Sequence, residues 1–350
     1  MLLPKKPCLS VLLERTLLSR YESENAVYRL RFSWPTIESF EPGDVAYVCA
    51  ENDPSWVERA LSIFQVKEDA WVCQEEGERL PLVDALRTHY EFQLRPEVLE
   101  KYGMADPDNI WKTLSVLRKQ TKAFCPQDIL SWLRPMRPRG YSIASAQIVH
   151  PGELELIVKW VTPPTQDLCV GLSSGFLCKR LPVREAVPMY LMASKFHLPA
   201  NASLPIILIG PGTGLAPFRA FLEYRQATQA AGPCWLFFGG RQAKNDFLFQ
   251  EWLETLQKEA VLTHLDLAWS RDQAYKIYVQ DRMREHASEL WDWVEKGAFI
   301  YVCGDAKQME KDVRETWLSI FQEEGKLSAA EAQAYFKKLE ASGRYNRDVY

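Results

Sequence analysis

Ser270, Arg271, Lys276, Tyr278 and Gln280 fall within one short stretch, SRDQAYKIYVQ. A hydroxyl and two cations this close together can hold a dianionic phosphate through charge-assisted hydrogen bonds, and the Tyr278 ring offers a face for an adenine. A solvated basic loop would use the same residues. Position favours binding: the stretch follows the expected strand VLTHLDLAWS, and ligands of open α/β sheets collect at the carboxyl ends of strands.

A second constellation is IILIGPGTGLAPFRAF, residues 206–221, with glycines at 210, 212 and 214 behind an aliphatic run. Its spacing, G-x-G-x-G, places the third glycine one position earlier than the dinucleotide fingerprint. No Gly-Lys-Ser/Thr follows, so it is not a P-loop. Backbone N–H groups at the start of the following helix can face a phosphate. A plain strand-to-helix turn would also use these glycines, for their freedom at positive φ.

Three further groups have chemical potential. Arg139-Gly140-Tyr141-Ser142 combines a guanidinium, a ring and a hydroxyl, which suit an anionic planar cofactor or an ordinary edge strand. Gly171-Leu172-Ser173-Ser174 precedes the expected helix GFLCKRL and reads as a pyrophosphate loop or as a helix cap. Cys303 ends the expected strand AFIYVCG, where a buried structural thiol is the ordinary outcome, but Gly304 and Asp305 leave room for a ligand.

The elements that must position these residues fall into two styles. Residues 8–50 read as strands (SVLLERTLL, AVYRLRFSW, DVAYVCA), with EPGD as a turn. Asp53-Pro54 then caps a helix whose Trp56, Ala60, Leu61 and Phe64 share a face. The pattern stays helical through LVDALRTHY, PEVLEKYG, NIWKTLSVLRKQ and PQDILSWLRPM, and strands resume at YSIASA and LELIVKWV. From residue 204 four strands alternate with helices, the mark of a parallel, helix-covered sheet. Ser328 and Glu331 form a capping box for the last helix, Gly343 is its C′ residue, and RYNRDVY follows.

Composition narrows the class. A chain of 350 residues with 47% hydrophobic content implies about two domains, each able to bury a core. Lys+Arg 42 against Asp+Glu 46 gives a net charge of −4, which argues against nucleic acid as a main partner. The eight cysteines include no C-x-x-C, so no zinc or cluster site is indicated, and reduced thiols in a cytoplasmic setting are expected. No cleavable leader and no membrane span are expected.

Seven ordered motifs carry a resemblance: RPRGYSIAS, GLSS, KFHLP, IGPGTGLAPFRAF, WSRDQAYKIYVQ, YVCGDAKQMEKDV and RYNRDVY. Together they resemble the ferredoxin-NADP reductase-like half of the diflavin reductases, within that family most closely the sulfite reductase flavoproteins. The resemblance implies an antiparallel FAD-binding β-barrel (1–52 and 136–202), a helical connecting insertion (53–135) and a parallel-sheet NADP-binding domain (203–350). It implies that Arg139, Gly140, Tyr141 and Ser142 hold FAD, that the backbone of Ile157, Val158 and Lys159 passes along the flavin, and that Gly171, Leu172, Ser173 and Ser174 take the FAD pyrophosphate. Gly212 and Thr213 would approach the nicotinamide end and pyrophosphate of NADPH. Ser270, Arg271 and Lys276 would grip its 2′-phosphate, with Ile277, Tyr278, Val279, Gln280 and Asp312 completing the nucleotide site. Tyr350 would cover the flavin where nicotinamide must lie, and Ser142, Cys303 and Asp348 would surround the point of hydride transfer.

The implied activity is an NADPH-dependent FAD flavoprotein reductase that passes single electrons to a protein, either a flavodoxin-like FMN protein or a redox hemoprotein such as that of sulfite reductase. A flavodoxin- or ferredoxin-NADP reductase and a non-catalytic FAD scaffold are the alternatives. His197 stands where the family usually has Arg, and Lys159 replaces a small residue beside the flavin. The FMN domain found upstream in the family, about 150 residues, is expected to be absent.

Overall fold

The structure is a computed structural model that describes residues 6–20, 22–67, 69–74, 77–103, 109–162 and 169–350. Residues 1–5, where a leader was sought, lie outside these. The chain forms two compact units: one of residues 1–46, 141–159 and 190–350, the other of residues 47–140 and 160–189.

In chain order the strands are β1 (Cys8–Leu17), β2 (Val27–Ser33), β3 (Val45–Val48), β4 (Trp71–Cys73), β5 (Arg79–Pro81), β6 (Tyr90–Leu94), β7 (Leu133–Pro135), β8 (Arg139–Ser142), β9 (Glu153–Lys159) and β10 (Ala186–Met192). A six-stranded sheet runs β8-β3-β10-β1-β2-β9, with β2 antiparallel to both β1 and β9. Alternation explains it: Val27, Tyr28, Leu30 and Phe32 are buried and Arg29 and Arg31 only partly so.

The connecting block departs from the helical reading in two places. β4 pairs with β5, and β6 with β7, as short antiparallel ladders. Tyr90, Phe92 and Leu94 repeat every second residue, a period of two that a helical reading of LVDALRTHY passes over, so the helix stops at Thr88. The helix Pro54–Phe64 starts as expected, Asp53 accepting from Ser55 N at 3.0 Å, but Val57 rather than Trp56 completes its buried face. Past Gly175 the expected helix widens: Leu181 N bonds Phe176 O at 2.8 Å, and this wider turn lets Arg180 reach Leu172 O at 3.2 Å and Glu51 O at 2.8 Å.

The parallel sheet contains β11 (Ile206–Ile209), β12 (Cys234–Gly240), β13 (His264–Trp269), β14 (Phe299–Gly304) and β15 (Tyr345–Val349), in the order β13-β12-β11-β14-β15. RYNRDVY thus supplies a fifth strand, paired in parallel with β14. The central run IILI is fully buried on both faces. Ile207 and Ile209 pack with Trp235, Phe237 and Trp317, whereas Ile206 and Leu208 pack with Phe218, Phe221 and Tyr301. Burial of alternate residues against helices on each side makes the strand continuously apolar. The capping box at Ser328 and Glu331 closes, and Gly343 has φ +71° after the last helix.

Buried ions hold β9 to the helix Leu215–Ala227 that follows the glycine loop. Arg219 Nη1 donates to Glu155 Oε2 at 2.5 Å and to Ala144 O at 2.6 Å, and its Nη2 pairs with Glu223 Oε1 at 2.6 Å. His150 Nε2 lies 3.4 Å from the same Glu223 oxygen, and the bond to Glu223 raises its pKa against the opposing effect of burial. The folded state therefore holds this proton more tightly than the unfolded chain. Its contribution is complete below the ordinary histidine value of 6.5 and fades as pH rises through the raised one. Urea denaturation at a series of pH values is expected to show stability falling across neutrality more steeply in the native chain than in His150→Gln. Arg219→Ala, which strands two buried carboxylates, should cost about 3–5 kcal/mol in the same measurement.

Candidate functional site

The strand order reverses at β11: the chain moves from β11 to β12 and β13 on one side, then crosses to β14 and β15 on the other. A crevice opens outside the carboxyl ends at such a switch point. There the three glycines divide the work. A Cβ on Gly210 would lie 2.5 Å from the Phe218 ring, and one on Gly214 would lie 2.2 Å from Cys303 O, so both are needed for close packing. Gly212 instead has φ +58° and open space where its Cβ would be. The loop is clamped to β14 at Gly214 and bare toward the crevice at Gly212.

The crevice is a cleft of about 810 Å³ lined by Thr213, Ser270, Arg271, Lys276, Tyr278 and Tyr350, among others. Gly212, Val279, Gln280, Asp312 and Lys159 also face it. Arg271 Nη1 donates to Glu24 Oε2 at 2.8 Å, and Ser270 Oγ donates to Gly240 O at 3.3 Å. Val279 and Gln280 are buried, and Ile277 packs against the core. Gln280 Nε2 donates to Asp312 Oδ2 at 3.3 Å, and Gln308 Nε2 donates to Oδ1 at 2.7 Å. Asp312 is therefore held by two amides.

Register brings the expected redox residues together. Cys303 stands opposite Asp348, and Gly304 opposite Val349. Ser142 Oγ donates to Asp348 Oδ2 at 2.5 Å, and Cys303 Sγ lies 3.8 Å from the same oxygen. Burial, reinforced by the Asp348 charge, raises the Cys303 pKa well above its ordinary value, so the sulfur is a thiol able to donate. Tyr350 is tied by its backbone, N to Gly304 O at 3.0 Å and O from Ala306 N at 3.2 Å. Its ring stays exposed, with the hydroxyl 2.8 Å from Thr213 Oγ1.

Tyr141 is half-buried beside Ser142 on β8. Ile157 and Val158 are both buried, and β9 pairs with β2 along one edge while on the other Ile143 bridges Leu156 and Ala144 N donates to Glu155 O at 2.8 Å. Lys159 lines the cleft, where desolvation and the Arg241 charge lower its pKa. His197 bonds Asp44 Oδ1 at 2.9 Å and lines a different cavity, of about 650 Å³.

In the other unit, Arg139 Nη2 bonds both oxygens of the buried Glu91, at 2.8 and 2.9 Å, and Gly140 is exposed. Gly171 has φ +67°, and a Cβ there would meet Val161 O at 2.4 Å. Ser174 Oγ accepts from Val161 N at 3.1 Å and donates to Gly171 O at 3.3 Å, so this hydroxyl shapes the loop; Ser173 is buried, and Leu172 O accepts from Arg180.

Sequence reasoning missed Arg241 and Glu24. Arg241 follows FGG at the carboxyl end of β12, and the strand-end rule that selected Ser270 would have selected it too. Glu24 lies in the β1–β2 turn, more than two hundred residues from its partners, and carried no signal. Among the described residues no group of three His, Cys, Asp or Glu could hold a metal ion, and no helix is long and apolar enough to cross a membrane.

Comparison with known proteins gives a family match and a set of relatives. Residues 208–315 match the family described as an oxidoreductase NAD-binding domain. The chain is 39% identical over 331 residues to the sulfite reductase [NADPH] flavoprotein alpha-component of Yersinia pestis bv. Antiqua (strain Antiqua), covering 89% of this chain and 54% of the relative. It is 38% identical to the proteins of that name from Pectobacterium atrosepticum and Serratia proteamaculans, covering 54% and 55% of them. The motif resemblance thus extends over most of the chain, which spans about half the length of these relatives.

The glycine geometry makes a quantitative distinction. Gly214→Ala forces the loop off β14 and should cost about 2–3 kcal/mol in chemical denaturation. Gly212→Ala pays only for its backbone angle and should cost about 1–2 kcal/mol.

Proposed function

We propose that the chain is an NADPH-dependent FAD flavoprotein reductase that delivers electrons singly to a protein acceptor. One observation carries this reading: a single cleft at the switch point is lined both by Ser270, Arg271 and Lys276 and by Thr213 and Tyr350, beside the Ser142–Asp348–Cys303 cluster. Cations suited to a phosphate and an aromatic suited to a redox ring thus address one extended ligand. The relatives' names, which specify NADPH and flavoprotein, support it.

The residues fit an anionic dinucleotide. The bare backbone at Gly212 admits close approach of a pyrophosphate, and Arg271 and Lys276 supply the charge that separates NADPH from NADH. FAD would lie by the backbone of Ile157 to Lys159 at the end of β9 with the Tyr141 ring against it, while Arg139 and Gly171 to Ser174 keep the phosphate roles that the resemblance implies. When bound, NADPH supplies a hydride and FAD divides the electron pair. The chain's own task is alignment and electrostatics.

Asp348 presents one carboxylate oxygen to two donors, the Ser142 hydroxyl and the Cys303 thiol, which fix its orientation. From there its charge favours the positive charge that develops on a nicotinamide. The Tyr350 backbone is held on both sides, so only its ring can swing aside, and breaking the 2.8 Å bond to Thr213 frees it. For the acceptor we propose a flavodoxin-like FMN protein or a redox hemoprotein, as the relatives' association with sulfite reductase suggests.

Anaerobic mixing tests the reading. NADPH should bleach the flavin rapidly and NADH poorly; no bleaching by either would sink it. Arg271→Ala should weaken NADPH by about tenfold to a hundredfold with NADH little changed. Asp348→Asn should slow bleaching by about tenfold or more while leaving the dissociation constant of NADPH, read from the concentration dependence of the bleaching rate, nearly unchanged.

A further inference from the structure

Glu24 reaches the cleft from the turn between β1 and β2. Its Oε2 accepts from Arg271 Nη1 at 2.8 Å and from Arg241 Nη1. The turn is held in place: Ser23 Oγ donates to the Asp246 carboxylate, and Arg20 N donates to Asn245 O at 2.9 Å. Asn245 and Asp246 belong to the short helix Ala243–Asp246, just beyond Arg241. One carboxylate oxygen is therefore held against two guanidinium groups.

Packing does not explain this arrangement. The Glu24 side chain is 64% exposed, and those of Arg241 and Arg271 are 36% and 48% exposed. Pairs this wet add little to stability. A carboxylate and a phosphate engage a guanidinium through the same in-plane N–H groups, and Arg271 Nη1 already spends one on Glu24.

We propose that Glu24 is an intramolecular competitor for the 2′-phosphate of the dinucleotide, an inference that rests on reading the cleft as an NADPH site. Arg271 exchanges its bond to Glu24 for one to the phosphate on binding, and takes it back on release. Glu24 thereby lowers affinity for 2′-phosphorylated nucleotides only, and it offsets one of the two adjacent guanidinium charges when no phosphate is present.

Titration calorimetry on the full chain, at fixed ionic strength, tests this with adenosine 2′,5′-bisphosphate and adenosine 5′-monophosphate. Glu24→Gln should tighten the bisphosphate by about fivefold and leave the monophosphate unchanged. Glu22→Gln removes the same charge from the same turn and should change neither. Equal tightening in both variants would reduce the effect to general charge and overturn the proposal, as would unchanged or weaker bisphosphate binding in Glu24→Gln. A native chain that bound the two nucleotides equally would overturn the NADPH reading itself, and the proposal with it.

Discussion

The chemistry of the cleft depends on the parallel pairing of β15 with β14. Because Cys303 lies opposite Asp348, the carboxylate shares a site with the thiol and with the Ser142 hydroxyl, and Tyr350 reaches Thr213. A slip of one residue would turn Asp348 to the opposite face of the sheet and dissolve all of these contacts. The register is anchored by Tyr345, buried against Phe336 with ring centroids 4.5 Å apart, and by Arg344, which reaches Ala298 O at 3.1 Å. The hydrophobic core of the helix-covered sheet thus sets the position of the carboxylate proposed to act on the nicotinamide.

A second constraint runs through buried charge. Arg219 stands one turn into the helix behind the glycine loop, and its pairing with Glu155 on β9 joins the strand proposed to carry the flavin to the loop proposed to carry NADPH. Buried ion pairs are poor sources of net stability, but a buried charge can be satisfied only where its partner stands. The pair therefore contributes position more than energy, which is what ring-to-ring transfer requires.

Guanidinium groups expected to meet phosphate already have carboxylate partners here. Arg139 rests on the buried Glu91, Arg271 on the exposed Glu24. The difference in burial separates their consequences. Glu91 is locked and orients Arg139, whereas Glu24 sits in water and can be exchanged.

Local signals carried a great deal. The apolar run IILI, the glycine spacing, the capping box at Ser328 and the turn residues determine the strands, the loop and the last helix, because each rests on interactions within a few residues. The clustering of Ser270, Arg271 and Lys276 belongs to the same class: their neighbourhood is covalent. Short strands in the connecting block were less legible, since β6 and β7 exist only through pairing across about forty residues. Only the tertiary structure decided that RYNRDVY is a strand, that Lys159 enters the cleft, that His197 belongs to another cavity, and that Glu24 meets Arg241 and Arg271. Each of these follows from pairing, burial or charge between segments distant in the chain, which residue types and local spacing do not encode.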